Sequence, residues 1–239
     1  MLKSPKKRRD PIRDTPLRDP GQSLREDIDT LITETALPWI AIAIMAVFAA
    51  AAEWIRWSVQ ARYHPVQITV IAAVIVALAA WKFVQTRRIV RRSAFGLRGE
   101  RAAGQYLQTK LAPNGYAVLH DICVDDFNID HAVIGPGGVF AIEVKTHSKA
   151  GNSRVRYDGT TVLVDGQAPE RDPIAQAHFA ANRLATILER FSGRLVPVRP
   201  VVLYPGWWVD PQPAKAEVWV LNEKAFVKFL AREPIHYNT

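Results

Sequence analysis

The sequence contains one cysteine, Cys123, among 239 residues. A single cysteine excludes an intrachain disulfide, which suits a domain in a reducing cell interior. The chain also has no glycine-rich phosphate loop, no His and Cys cluster at zinc-ligand spacing, and no Ser/His/Asp series. Nucleotide binding through a P-loop, structural zinc and triad-type catalysis are therefore not predicted. No internal repeat is visible, so a repeat architecture is not predicted either.

The N-terminal segment is rich in charge and proline and poor in apolar side chains. Prolines occupy positions 5, 11, 16 and 20, and acidic and basic residues are interleaved between them. Such a composition buries too little apolar surface to offset the entropy lost on ordering the chain. We therefore predict a disordered tail over residues 1–35.

Two long apolar runs follow this tail. Residues 36–55 contain Glu53 as their only charge, and residues 66–84 contain Lys82 as theirs. At a rise of about 1.5 Å per residue, each run spans roughly the 30 Å hydrocarbon core of a bilayer. Tryptophan and tyrosine residues lie near the ends of both runs, where interfacial aromatics are common. We predict two transmembrane helices; a buried helical hairpin of a soluble protein is the alternative.

Basic residues flank both apolar runs. The net charge is +8, and nearly all of the excess lies in residues 56–92, which hold seven basic and no acidic side chains. The positive-inside rule then predicts a multi-pass protein of the plasma or inner membrane with both termini in the cytoplasm. This basic stretch is explained by the topology and by anionic lipid headgroups without invoking nucleic acid. Residues 85–95 are predicted to form a basic juxtamembrane linker.

The remaining chain, residues 96–232, is long enough for one domain with its own core. Apolar periodicity and turn signals divide it into helices and strands. The predicted helices lie at 96–111, 173–191 and 223–231, and the predicted strands, besides the hairpin described next, at 116–124, 154–157, 161–164, 196–204 and 217–221. Helices interspersed with strands predict an α/β domain with a mixed β-sheet flanked by helices.

The segment 129–145 predicts a β-hairpin whose Gly/Pro turn lies at 135–138. Because strand side chains alternate, Glu143 and Lys145 share one face, and counting outward from the turn places Asp130 opposite Glu143. Two carboxylates so placed repel each other, and a divalent cation such as Mg²⁺ would relieve that repulsion. The alternative is a solvated charge cluster in which Lys145 simply pairs with Glu143.

Glu100 lies on the packed side of the first predicted helix. Counting from Glu100, small and apolar residues fall at helical spacings on the same side: Ala103, Gly104, Leu107 and Leu111. A carboxylate on a packed face needs a partner. The alternative is that Glu100 caps the start of the helix, where the macrodipole favours a carboxylate.

Four motifs in this region together resemble the nuclease-related domain (NERD) family, which is similar to the larger PD-(D/E)XK nuclease superfamily. They are Gly99-Glu100 on a helix, Ile129-Asp130-His131, Gly137-Gly138-Val139-Phe140, and Ile142-Glu143-Val144-Lys145. Their order and spacing are more specific than any one motif. Ile129 replaces the proline of the superfamily name. The resemblance implies a mixed sheet flanked by helices over residues 96–232.

The resemblance also implies roles for individual residues. Asp130 and Glu143 would be metal ligands, Val144 would contribute its backbone carbonyl, and Lys145 would be the catalytic lysine. Glu100 would correspond to the acidic residue on the first helix that completes many such sites. The implied cofactor is Mg²⁺ or Mn²⁺, and the implied substrate is nucleic acid, with DNA expected.

Other side chains are candidates for contacts near such a site. In superfamily members a glutamine on the later helix often approaches the site, so Gln176 is a possible contributor; a solvated helix-edge glutamine is the alternative. Three basic residues after the hairpin could contact phosphates or line an exposed surface: Lys149, Arg154 and Arg156. Trp207 and Trp208 could stack on unpaired bases or seal the edge of a core.

Two hypotheses follow from the sequence. The first is a membrane-anchored, metal-dependent nuclease that hydrolyses phosphodiester bonds. The second is a non-catalytic, membrane-tethered module that binds nucleic acid or a protein partner through the same domain. A dependence of stability or binding on divalent metal discriminates between them, because only the first predicts one.

Overall fold

The computed structural model describes residues 17–60, 65–124, 127–149 and 154–234. Within these residues the chain forms five α-helices and eight β-strands. The helices are α1 (Gln22–Leu31), α2 (Leu37–Gln60), α3 (Pro65–Leu111), α4 (Pro173–Ser192) and α5 (Glu223–Leu230). The strands are β1 (Ala117–Val124), β2 (Phe127–Gly135), β3 (Gly138–Val144), β4 (Arg154–Tyr157), β5 (Val162–Val164), β6 (Val198–Leu203), β7 (Trp208–Val209) and β8 (Trp219–Leu221).

The two apolar runs lie in helices that are long and apolar enough to cross a membrane, residues 22–59 and 65–114. Only 11% of the most apolar window of each helix is buried within the chain, so neither apolar run lies in the core of the folded domain. Large apolar side chains are instead exposed along both helices, including Met45, Phe48 and Ile71. A bilayer is the solvent in which such surfaces are stable.

The N-terminal segment differs from the predicted disordered tail. Residues 22–31 form α1, and a short π-helical segment, Ile32–Ala36, joins α1 to α2. Pro38 cannot donate to the helix ladder, which accounts for the irregular turn just before it. Contacts between α1 and α3 stabilise a segment whose own composition does not predict order. Residues 1–16 of the predicted tail lie outside the described residues.

Helix α3 contains 47 residues and joins the second apolar run to the folded domain without a break. The predicted linker, residues 85–95, is therefore helical, and the helix predicted at 96–111 is the last part of α3. The linker contains no proline, and basic residues such as arginine are good helix formers. A helical linker fixes the direction in which the domain leaves the second apolar run.

The main sheet is mixed, with the strand order β1-β2-β3-β6-β8. Strands β1, β2 and β3 are antiparallel neighbours, whereas β3, β6 and β8 are parallel. Gly135 pairs with Gly138 and Ile134 with Val139, which is the register predicted from the turn. A second, three-stranded sheet has the order β5-β4-β7. Strand β7 was not predicted, because two residues give no period that sequence analysis can detect.

Alternation along β3 assigns its two faces to different helices. Phe140 and Ile142 pack in the core formed with α3 and α5. Val139 and Ala141 pack in the core formed with α4. Glu143 has the parity of Val139 and Ala141, so the alternation places it at the end of the α4 face. Helix α4 begins at the predicted cap, where Asp172 Oδ1 accepts a hydrogen bond from the Ile174 amide at 2.9 Å.

Candidate functional site

The acidic pair lies where β2 and β3 reach the end of their pairing. The last paired residues are His131 and Ile142, and the next step of the same register brings Asp130 opposite Glu143. Asp130 Oδ2 accepts a hydrogen bond from the Val144 amide at 2.7 Å. The Asp130 carboxylate therefore reaches across to β3, as the predicted pairing requires.

Lys145 follows β3 and turns back onto the carboxylate two residues before it. Its amide donates to the Leu203 carbonyl at 2.8 Å, which continues the parallel pairing with β6 and fixes its backbone. Its ammonium donates to Glu143 Oε1 at 2.6 Å. The Glu143 side chain is 8% exposed and the Lys145 side chain 20%. The Lys145 ammonium and the nearly buried Glu143 carboxylate therefore form a charge-assisted hydrogen bond.

Glu100 lies on α3 and is buried, as its position on the packed side predicts. Because α3 begins at Pro65, Glu100 is an interior residue of the helix and not its cap. Burial, followed by the negative charges of Asp121 and Glu143, raises the pKa of Glu100 to about 7, although a hydrogen bond from the Gly21 backbone opposes this rise. These charge effects place the three carboxylates in one electrostatic cluster.

Asp130 belongs to the same cluster. Burial raises the pKa of Asp130 well above its ordinary value, and the charges of Glu143 and Glu100 add to the effect. The Val144 amide and the Lys145 ammonium act in the opposite direction. When ionised, these carboxylates repel one another, and an added cation would relieve that repulsion.

Asp121 was not recognised from the sequence, although it lies within the cluster. Strand β1 pairs with β2 on both sides of Asp121, and the register places it opposite Asp130. Its side chain is buried, and its backbone has a φ of 49°, a left-handed conformation that is uncommon for residues other than glycine. Arg18 and Ser23 supply its hydrogen-bond donors. An acidic residue inside an apolar strand was the available signal, because aspartate is depleted in strands.

Gln176 lies on α4, the helix that covers the Glu143 face of the sheet. Its side-chain oxygen is buried and has no hydrogen-bond partner within the described residues. The Tyr204 hydroxyl is likewise buried and has no hydrogen-bond partner within the described residues. Burial raises the pKa of Tyr204, with smaller contributions from the charges of Asp172 and Glu143. No described hydrogen bond joins Gln176 to the carboxylates, so its role in the site stays a prediction.

His131 packs on the opposite side of β2 from Asp130. It is fully buried, and its Nδ1 lies 3.0 Å from Nδ1 of His120. Burial, with a smaller effect from His120, lowers the pKa of His131 to about 3. The imidazole is therefore neutral near pH 7 and packs beside Gly104 of α3. His131 is therefore a core histidine.

The basic residues after the hairpin have partners within the chain. Lys149 Nζ donates to the Gly206 carbonyl, and Arg156 pairs with Asp210 at 3.6 Å. Arg154 is exposed. Two of the three predicted phosphate contacts are thus already engaged, Lys149 by a backbone carbonyl and Arg156 in a surface ion pair that contributes little to stability.

The two adjacent tryptophans occupy different environments. Trp207 is buried, and its indole nitrogen donates to the His147 carbonyl at 3.2 Å. Trp208 is 64% exposed and forms part of β7. Trp207 therefore seals the edge of a core, and only Trp208 presents an accessible aromatic face.

The side chains of the acidic cluster match the ligand chemistry of the implied metal. Glu100, Asp130 and Glu143 offer the hard carboxylate oxygens that Mg²⁺ and Mn²⁺ prefer, and their mutual repulsion is the effect that such an ion would relieve. Within the residues that the structure describes, however, no group of three or more His, Cys, Asp or Glu side chains is arranged to hold a metal ion. The chemistry of the donors fits the ion, and in the observed arrangement protein groups satisfy them.

A mixed sheet flanked by helices forms an α/β domain that is consistent with a nuclease-like fold. Residues 95–205 match the profile of a known family, the nuclease-related domain (NERD). The matched part of the chain contains Glu100, Asp130, Glu143, Lys145 and Gln176. The match covers slightly less than half of the chain. No curated protein and no solved structure matched the chain.

Proposed function

We propose that this protein is a membrane-anchored, divalent-metal-dependent hydrolase of phosphodiester bonds in nucleic acid, with DNA as the expected substrate. The observation that carries the proposal is the contact between Lys145 and Glu143 beside Asp130, inside a nuclease-related domain. A carboxylate pair with an adjacent ammonium provides both a cation site and a positive group for an anionic substrate.

The chain's own residues have distinct tasks in this proposal. Asp130 and Glu143 would hold Mg²⁺ or Mn²⁺ with the Val144 carbonyl, and Glu100 would complete the set. When bound, such an ion polarises a phosphate and lowers the pKa of a water molecule. The Val144 amide fixes the orientation of the Asp130 carboxylate, because it donates to Oδ2 at 2.7 Å.

Lys145 is the residue on which the chemistry depends most. The pairing of its backbone with β6 fixes the start of the side chain, while its ammonium lies at the less buried end of the pair. From there it would position the attacking water and stabilise negative charge that develops on the phosphate. Removing one preorganised group of this kind lowers the reaction rate by a factor of about 10² to 10³.

The membrane assignment rests on the two exposed apolar helices. Helices α2 and α3 would cross the bilayer, and the arginines after the second run would hold both termini in the cytoplasm of a plasma or inner membrane. The nuclease-related domain would then lie in the compartment that contains nucleic acid. Exposed apolar side chains over the length of both helices support this arrangement.

Cleavage by the full-length protein in detergent tests the proposal. Labelled single- and double-stranded DNA and RNA are incubated with Mg²⁺, Mn²⁺ or EDTA. Lys145→Ala and Glu143→Gln are each expected to lower the rate by at least about a hundredfold. Lys215→Ala and Glu189→Gln are the matched controls, since both residues are exposed and lie outside the cluster. Thermal unfolding of each variant establishes that it is folded.

Cleavage by Lys145→Ala at the wild-type rate would remove this residue from the mechanism. Intact substrates under every metal, from folded wild-type protein, would favour the non-catalytic module that binds nucleic acid or a protein partner. In that case added metal should change neither thermal stability nor binding. The contact between Lys145 and Glu143 is the observation that favours this second function, because a solvated charge cluster would form the same pair.

A further inference from the structure

Six residues before and at the start of α1 lie across the acidic cluster; we refer to residues 18–23 as the strap. Asp121 holds it through three hydrogen bonds to Oδ2. The donors are Arg18 Nε at 2.6 Å, the Ser23 amide at 2.8 Å and the Ser23 hydroxyl at 2.9 Å. Arg18 also donates to the Ser23 hydroxyl and to Glu26, both at 2.9 Å. The strap is therefore fixed to β1 by a buried carboxylate.

The middle of the strap contacts Glu100 directly. Gly21 has a left-handed φ of 69°, and a Cβ atom built on it would lie 3.3 Å from Glu100 Oε2 and would overlap Leu97 Cδ1. Pro20 packs against α3 at Gly104, where a Cβ would lie 2.9 Å from Pro20 Cγ. Two glycines, one on each side of the contact, thus allow the strap to lie directly on the helix that carries Glu100.

The strap occupies two carboxylates of the cluster, and one of them, Glu100, belongs to the proposed metal ligands. Its donors occupy Asp121, and its backbone covers Glu100. We propose that the strap is an inhibitory element that must leave Asp121 and Glu100 before these carboxylates can engage a divalent cation. This inference rests on the proposed function of the same site. It also accounts for the presence of hard carboxylate donors without an arrangement that holds an ion.

The strap is continuous with the first apolar helix. It leads into α1, which contacts α3 and continues through the π-helical segment into α2. A shift of α2 along α3 would therefore pull on the strap, and the only covalent route from the strap to the domain passes through both apolar helices. Access to the site is in this way coupled to the relative position of the two helices.

A glycine substitution tests the strap without changing any charge. Gly21→Ala adds a Cβ that overlaps Leu97 in a left-handed backbone, so the strap should dock less often. Gly166→Ala is the matched control, because Gly166 has a φ of 78° and no atom within 4 Å of the added Cβ. The apparent affinity of a site scales with the fraction of molecules that are competent. Mn²⁺ binding to the full chain in detergent should therefore tighten about tenfold in Gly21→Ala and not in the control.

A disulfide to Cys123 would hold the strap in place, which is the opposite of the effect expected for Gly21→Ala. We refer to the contacts of Arg18 and Ser23 with Asp121 as the clasp. Ser23 Oγ lies 3.7 Å from Cys123 Sγ, so Ser23→Cys places two thiols beside the clasp. Oxidation with diamide should form a disulfide that locks the strap, weaken Mn²⁺ binding and slow cleavage, and a reductant should restore both. Ser23→Cys combined with Cys123→Ala cannot form this bond and should not respond to oxidant.

These measurements separate the strap from the proposed nuclease activity. Mn²⁺ affinity that weakens in the disulfide-locked protein and tightens in Gly21→Ala supports the inhibitory role of the strap, even when no substrate is cleaved. If the disulfide fails to form, or if Mn²⁺ affinity in Gly21→Ala matches that of Gly166→Ala, the strap does not control the site. Cleavage that is metal-dependent but equal in locked and reduced protein would likewise overturn the inference and leave the nuclease intact.

Discussion

Replacing Glu100 by glutamine is expected to stabilise the protein in neutral and alkaline solution. The substitution keeps the shape of the side chain and removes a charge that is buried beside Asp121 and Glu143. The folded protein raises the pKa of Glu100 from 4.5 to about 7. Since a tenfold change in proton affinity corresponds to about 1.4 kcal/mol, ionised Glu100 destabilises the fold by about 3 kcal/mol.

The sign of the pH dependence follows from proton linkage. Between about pH 4.5 and 7 folded Glu100 binds its proton more tightly than the unfolded chain does, so stability falls as the pH rises through this window. Above pH 7 the full destabilisation is present, and below pH 4.5 it is absent. Glu100→Gln should therefore match the wild type near pH 4.5 and exceed it by about 3 kcal/mol at pH 8.

Thermal unfolding in detergent with EDTA, followed by tryptophan fluorescence, measures this difference. An increase of about 3 kcal/mol corresponds to roughly 6–12 °C in Tm for a chain of this size. Glu189→Gln is the control, because Glu189 is exposed on α4. Curves for Glu100→Gln and wild type that stay parallel from pH 4.5 to 8.5 would refute the buried-charge argument. Added Mg²⁺ should stabilise the wild type more than Glu100→Gln, because only the wild type has a negative charge at position 100 that the ion can offset.

Two further predictions concern packing and capping. Gly99→Ala should destabilise the protein by about 1–3 kcal/mol, because the new Cβ would overlap the Thr146 hydroxyl beside Lys145; Gly96→Ala, whose Cβ has its nearest neighbour at 3.6 Å, should be neutral or gain up to about 1 kcal/mol. Asp172→Ala should cost about 1 kcal/mol by removing the α4 cap, whereas Asp172→Asn should retain it. Urea unfolding measures both series, and equal midpoints within either pair would contradict the stated cause.

The hairpin was predictable because its information is local. A turn of fixed length sets the register from Gly135 and Gly138 outward, and the alternation of side chains then assigns faces as far as Asp130 and Glu143. Between the second apolar run and Glu100 the chain has two glycines, Gly96 and Gly99, but no proline, and α3 continues through both glycines.

The clasp at Asp121 could not be predicted in the same way. Its partners Arg18 and Ser23 lie about a hundred positions earlier in the chain, within a segment whose composition indicates disorder. The contact depends on the return of the chain through two apolar helices, which brings α1 against α3. Local pattern fixes registers and faces, whereas a contact of this kind is decided by the tertiary path of the chain.

The length of α3 also determines the electrostatic setting of the site under the proposed membrane anchoring. Glu100 lies sixteen residues beyond Val84, the end of the predicted span, on one unbroken helix. At about 1.5 Å per residue this is up to about 24 Å along the helix axis. The Debye length at physiological ionic strength is about 8 Å, so the potential of anionic headgroups is largely screened at that distance. A nucleic acid approaching the site would therefore encounter the charges of the domain itself, where Arg18 and Lys145 already neutralise part of the acidic cluster.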